Sequence, residues 1–92
     1  VASGFAASVG GGIGNTASGD YSNVVGGEMN DAQGYGATIA GGNNNVAHGG
    51  DSSVSGGFMN KAFGDFATVG GGSNRSAPAF ADWAAGALFQ DQ

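Results

Sequence analysis

The large apolar residues of this chain recur at a fixed long interval, not at the 3.6-residue period of an amphipathic helix. Val9, Val24, Ile39, Val54 and Val69 are each 15 residues apart. Each sits between small or polar neighbours, as in Thr38-Ile39-Ala40 and Ser53-Val54-Ser55. That alternation predicts a short strand with one face turned inward. Four more columns keep the same register. Gly pairs follow the apolar residue at Gly11-Gly12, Gly26-Gly27, Gly41-Gly42, Gly56-Gly57 and Gly71-Gly72. Asn15, Asn30, Asn45 and Asn60 come next, and Arg75 takes the fifth place. Ala17, Ala32, Ala47, Ala62 and Ala77 form a column without exception. Gly19, Gly34, Gly49 and Gly64 form the last, with Ala79 in the final repeat. The unit reads [SNT]-[VI]-x-G-G-x-x-N-x-A-x-G-x-x-[SA].

The period decides the architecture. Fifteen residues are too few for a helical-hairpin repeat, a propeller blade or a leucine-rich repeat. They suffice for one flat coil of two short strands and two tight turns. The apolar column predicts the first strand, and the Gly pair the first turn, because Gly accepts positive φ without steric cost. The Asn-x-Ala-x-Gly stretch predicts the return strand and second turn. The unvarying Ala implies a place too narrow for a larger side chain. The Asn column serves either to close a turn in the left-handed region or to build a ladder of stacked amides. Coils stacked about 4.8 Å apart make a rod of roughly 24 Å for five coils. The expectation is an all-β, parallel β-solenoid of 15-residue coils over residues 1–77, the first coil partial. Residues 78–92 read as a degenerate repeat, cap or connector, with a sixth strand surviving in Trp83-Ala84-Ala85-Gly86.

Composition sharpens this picture. Of 92 residues, 21 are Gly, while Val, Ile, Leu and Phe together supply 16. A Gly-rich chain loses much backbone entropy on folding, so so small a core needs a regular backbone ladder, a partner chain, or both. The column Gly10, Val25, Ala40, Ser55 and Gly70 points away from the apolar column and is small or apolar, which suits close packing against another chain. The net charge is −5 with only Lys61 and Arg75 basic, so nothing is available to neutralise a row of phosphates and nucleic acid is not an expected partner. No apolar run approaches the roughly 20 residues that cross a bilayer, and no membrane contact by this segment is expected. The mid-coil start at Val1 reads as a mature fragment or an excised segment.

These columns resemble the YadA-like head repeats of trimeric autotransporter adhesins, in the 15-residue variety with a doubled Gly. The stretch from Gly10 through Gly12-Ile13-Gly14-Asn15-Thr16-Ala17-Ser18-Gly19-Asp20 to Ser22 carries the likeness, which extends over about residues 2–77. The resemblance implies a left-handed parallel β-roll, a homotrimer about a common axis, and a place on the outside of a bacterial cell. It implies adhesion to host matrix or surface proteins. From Arg75 onward the pattern departs from the family.

Candidate chemistry is sparse. His48 is the only His and the chain has no Cys, so neither a catalytic constellation nor a metal or cofactor site is expected. Asp20 and Asp65 share a column that Tyr35 and Gly50 interrupt, unlike the regular Asp column of calcium-binding nonapeptide rolls. The Gly runs lack dinucleotide and phosphate-loop spacing. Large residues instead gather in the variable turn slots: Ile13, Met29, Phe58 and Met59 after the Gly pair, and Tyr21, Tyr35, Phe63, Phe66 and Phe80 around the second turn. Tyr21, Tyr35, Phe58, Met59, Phe63 and Phe66 are the candidate binding or protomer-contact residues. Besides an adhesive head, the pattern admits a filament subunit whose coils stack end to end between chains. An ice-binding face is disfavoured, because the column Ser8, Asn23, Thr38, Ser53 and Thr68 is irregular.

Overall fold

Each 15-residue unit folds into one flat coil, and the coils stack in register. The computed structural model describes residues 2–77 and the backbone of 83–85. The expected features at Pro78-Ala79, Phe80 and Gly86, like the rest of 78–82 and 86–92, lie outside the described residues. Among the described residues, eleven short strands run in chain order: β1 (Ser8–Val9), β2 (Thr16–Ala17), β3 (Asn23–Val24), β4 (Asp31–Ala32), β5 (Thr38–Ile39), β6 (Val46–Ala47), β7 (Ser53–Val54), β8 (Lys61–Ala62), β9 (Thr68–Gly71), β10 (Ser76–Ala77) and β11 (Trp83–Ala85). Odd-numbered strands make one parallel sheet in the order β1-β3-β5-β7-β9-β11, and even-numbered strands make the other, from β2 to β10. The pairing Val24↔Ile39↔Val54↔Val69 advances by 15 residues at every step. The chain is therefore a parallel β-solenoid, as the column pattern predicts. The sixth strand expected at Trp83-Ala84-Ala85 is present as β11, paired with β9.

The two sheets lie so close that a single layer of side chains fills the space between them. The Cα trace is 12 Å deep in its shortest direction. The core consists of Val24, Ile39, Val54 and Val69 from one sheet and Ala17, Ala32, Ala47, Ala62 and Ala77 from the other, with Ala37 and Ala67 at the second turn. Val9, in the first coil, is only half-buried, because no described coil precedes it. The Ala column faces the Val and Ile column of the opposite sheet within one shared core.

Backbone bonds carry much of the load that so small a core leaves. N–H groups of one coil donate to carbonyls of the next at near-constant length, as in Thr16→Asn30 (2.8 Å), Asp31→Asn45 (2.8 Å) and Val46→Asn60 (2.8 Å). The Asn column adds a second ladder inside the coil. Asn15, Asn30, Asn45 and Asn60 are all buried. The Oδ1 of each accepts the backbone N–H of the residue one coil on: Asn15 from Asn30, Asn30 from Asn45 and Asn45 from Asn60, each at 2.9 Å. Both Nδ2 hydrogens are also used. Asn45 donates to Gly41 O of its own coil (3.0 Å) and to Gly57 O of the next (3.1 Å). The other three Asn residues repeat that pattern on their own Gly pairs.

Of the two roles open to the Asn column, neither describes it fully. None of the four Asn residues has positive φ, and their amides bond to backbone groups in place of one another. The left-handed residue is the one before: Gly14, Met29, Asn44, Met59 and Asn74, with φ between 54° and 66°.

The two Gly positions of each pair have different jobs. Gly42 has φ +91°, and a Cβ there would overlap the Gly57 carbonyl oxygen and crowd Asn45 Nδ2. Gly41 has open space around it and no left-handed φ. Gly42→Ala is thus expected to lose at least about 3 kcal/mol of stability, whereas Gly41→Ala is expected to be neutral or stabilising by up to about 1 kcal/mol. Paired urea titrations of the two variants check this contrast. Asn45→Ala strands the buried Asn60 N–H and removes a donor from Gly41 O, and its expected cost is about 3 kcal/mol. The same titrations read it against Asn44→Ala, which changes the exposed neighbour.

Candidate interaction surfaces

Among the described residues, the large apolar side chains outside the Val, Ile and Ala columns of the core are not buried. Ten large apolar ones among the described residues are between 37% and 69% exposed. They fall on two edges and two faces of distinct chemistry.

The first edge follows the Gly pair. Its outward column, Ile13, Glu28, Asn43, Phe58 and Ser73, is linked from coil to coil by single parallel bridges. Beside it lie the left-handed Met29 (φ 54°) and Met59 (φ 56°). The backbone N–H of each left-handed residue donates back to the preceding coil, as Met59 does to Asn43 O at 2.9 Å. Ile13 and Met29 are exposed at 69% and 58%, Phe58 at 44% and Met59 at 37%. Glu28 is the one charged residue among these ten positions. Next to this edge, on the outer face of the odd-numbered sheet, the small column Gly10, Val25, Ala40, Ser55 and Gly70 is exposed throughout.

The second edge is built by the turn that begins at Gly19, Gly34, Gly49 and Gly64. A Cβ on Gly19 or Gly34 would overlap the carbonyl of the equivalent Gly one coil on, so the coils approach here as closely as at the Gly pairs. Two outward slots per coil follow. The first holds Phe5, Asp20, Tyr35, Gly50 and Asp65; the second holds Ala6, Tyr21, Gly36, Asp51 and Phe66. The second slot is left-handed in every coil, with φ from 53° to 67°. Tyr21 stacks edge-on between Phe5 and Tyr35, with ring centroids 5.6 Å and 5.4 Å away.

The Asp20 and Asp65 carboxylates have a local structural task. Asp20 Oδ1 accepts the Phe5 N–H and Asp65 Oδ1 accepts the Gly50 N–H, both at 2.9 Å, each one coil back in its own column. Among the described residues, no three His, Asp or Glu side chains gather as a metal-binding group. His48 lies exposed on the outer face of the even-numbered sheet, edge-on to Phe63 at 5.7 Å. Asp31 Oδ2 on that face accepts from Gln33 Nε2 at 2.6 Å.

The six candidate residues thus divide three ways. Phe58 and Met59 belong to the first edge, Tyr21, Tyr35 and Phe66 to the second, and Phe63 to a sheet face. Phe5 completes the aromatic row of the second edge and was not among the sequence candidates. Its signal was present in its column-mate Tyr35. The left-handed slots were also missed as such. Gly14, Asn44 and Asn74 in one column, and Gly36 in the other, are the residues that mark them, since Gly and Asn tolerate this region best. The chain matches no family model, no curated protein and no solved structure.

Proposed function

We propose that this chain is an extracellular, adhesin-like head module, a rigid homotrimeric β-solenoid that presents side chains to host or surface ligands. The observation that carries the reading is the segregation of exposed residues between the two edges. The first edge is rich in Met, Phe and Ile and nearly uncharged, while the second is aromatic and acidic. A soluble chain whose core is this thin gains most by covering its apolar edge. The exposed small column beside that edge lets a neighbouring backbone approach closely. Three copies related by a closed axis would bury the first edge and leave the second outward. The resemblance of the repeat to adhesin heads supports the number three and the cell-surface location. The chemistry of the exposed residues suits binding better than catalysis.

The second reading, a filament of solenoids stacked end to end, rests on the parallel 15-residue register that both sheets keep from coil to coil, a ladder that coils of another chain could continue.

Light scattering of the purified chain across a dilution series separates these readings. The expected species has three times the 8.8 kDa chain mass, about 26 kDa, stable to dilution. Phe58→Asp is expected to convert it to monomer with the far-ultraviolet β signal kept. A concentration-dependent ladder of sizes points to the filament. A folded wild-type monomer overturns both.

A further inference from the structure

The second edge carries a combination that ordinary solvation does not account for. Of its ten slots, four hold exposed aromatic rings: Phe5 (69%), Tyr21 (51%), Tyr35 (60%) and Phe66 (55%). Three more hold exposed carboxylates, Asp20, Asp51 and Asp65. No cation lies on this edge. The chain's Lys61 is on β8 and its Arg75 occupies the Asn column. Tyr21 and Phe66 also sit in left-handed slots, at φ 60° and 61°, where the equivalent Gly36 is the unstrained choice. Aromatic rings are thus held outward at positions that local conformation disfavours.

We infer that this edge is a docking strip for a cationic, arginine-rich peptide segment of a partner protein. A guanidinium stacks on an aromatic face and pairs with a carboxylate at the same time. Along the strip, coil by coil, rings and carboxylates interleave: Phe5, then Asp20 with Tyr21, then Tyr35, then Asp51, then Asp65 with Phe66. At about 4.8 Å per coil the five coils span about 19 Å, roughly three intervals of 6–7 Å between alternate side chains of an extended peptide, so rings and carboxylates are not in one-to-one register with the peptide and long arginine side chains absorb the offset.

Two other occupants fit less well. A second copy of this chain would bring more negative charge to an already anionic edge, since the net charge is −5. A polysaccharide needs coplanar ring faces, but the Phe5–Tyr21 and Tyr21–Tyr35 planes are tilted by 83° and 66°. The inference rests on the ligand-presenting role proposed above, and names the chemistry of the ligand.

The test is fluorescence anisotropy of a labelled (Arg-Ser)6 peptide titrated with the intact protein, with light scattering on the same samples. Micromolar binding is expected, weakening as salt rises from 50 to 300 mM, and absent for (Glu-Ser)6. Tyr21→Gly and Phe66→Gly suit their left-handed backbone and are expected to fold as well as wild type or better. Each is expected to weaken binding about fivefold. Asp51→Asn with Asp65→Asn is expected to reduce both affinity and its salt dependence. No binding of the arginine peptide, or binding that Tyr21→Gly and Phe66→Gly leave unchanged, overturns the docking strip. Retention on insoluble polysaccharide in place of peptide binding does the same. A monomeric mass with intact peptide binding overturns the trimeric head but keeps the strip.

Discussion

The structure depends on a buried primary amide that is satisfied on three sides. An Asn side chain removed from water costs free energy unless its donors and acceptor find partners. Here the two Nδ2 hydrogens reach one Gly carbonyl within the coil and one in the next, while Oδ1 takes the N–H of the following Asn. One side chain therefore closes a turn, joins two coils and orients its own successor. The bonds demand a Gly pair with open carbonyls at the right height, and the Gly pair demands an inward donor to satisfy it. The two columns are a single device written twice in the sequence.

The last rung shows what the device supplies. Arg75 stands in the Asn column, and its backbone N–H still donates to Asn60 Oδ1 at 2.8 Å. Its own side chain offers no carbonyl to the next coil, and its Nε lies buried without a hydrogen-bond partner. Beyond this point β11 pairs Trp83 with Thr68 and Ala84 with Val69, then slips so that Ala85 meets Gly71. That is the single register irregularity among the described strands, and it falls in the first coil that lacks the amide. Elsewhere the 15-residue register holds without a break among the described strands, over an apolar core with no side chain larger than Ile39.

Much of this was legible in the columns. A repeated inward Val or Ile and a repeated Ala can only reflect two facing strands of unequal bulk, and the structure buries both. The Gly pair was legible as a turn, but not that only its second member has no room for a Cβ beside the next coil. The actual role of Asn was not legible either. Periodicity shows that a polar residue recurs, but not that its amide faces inward to the backbone. The inward Ser22 and Ser52 escaped for a similar reason. They alternate with Ala37 and Ala67, and each donates its Oγ hydrogen to a Gly carbonyl three residues back, so a buried hydroxyl looked like an ordinary turn residue. The division of exposed residues between two edges required knowing which turn each variable slot enters. Once the coil is drawn, Met and Phe gather on one side and Tyr, Phe and Asp on the other.

The most direct test of the amide ladder is a long-range HNCO spectrum of deuterated, 13C,15N-labelled protein, which detects couplings across hydrogen bonds. The account requires cross-peaks from the backbone nitrogens of Asn30, Asn45 and Asn60 to the side-chain Cγ of Asn15, Asn30 and Asn45, respectively. Correlations from those nitrogens to backbone carbonyl carbons would contradict it, and would mean that the main chain alone sets the stacking of the coils.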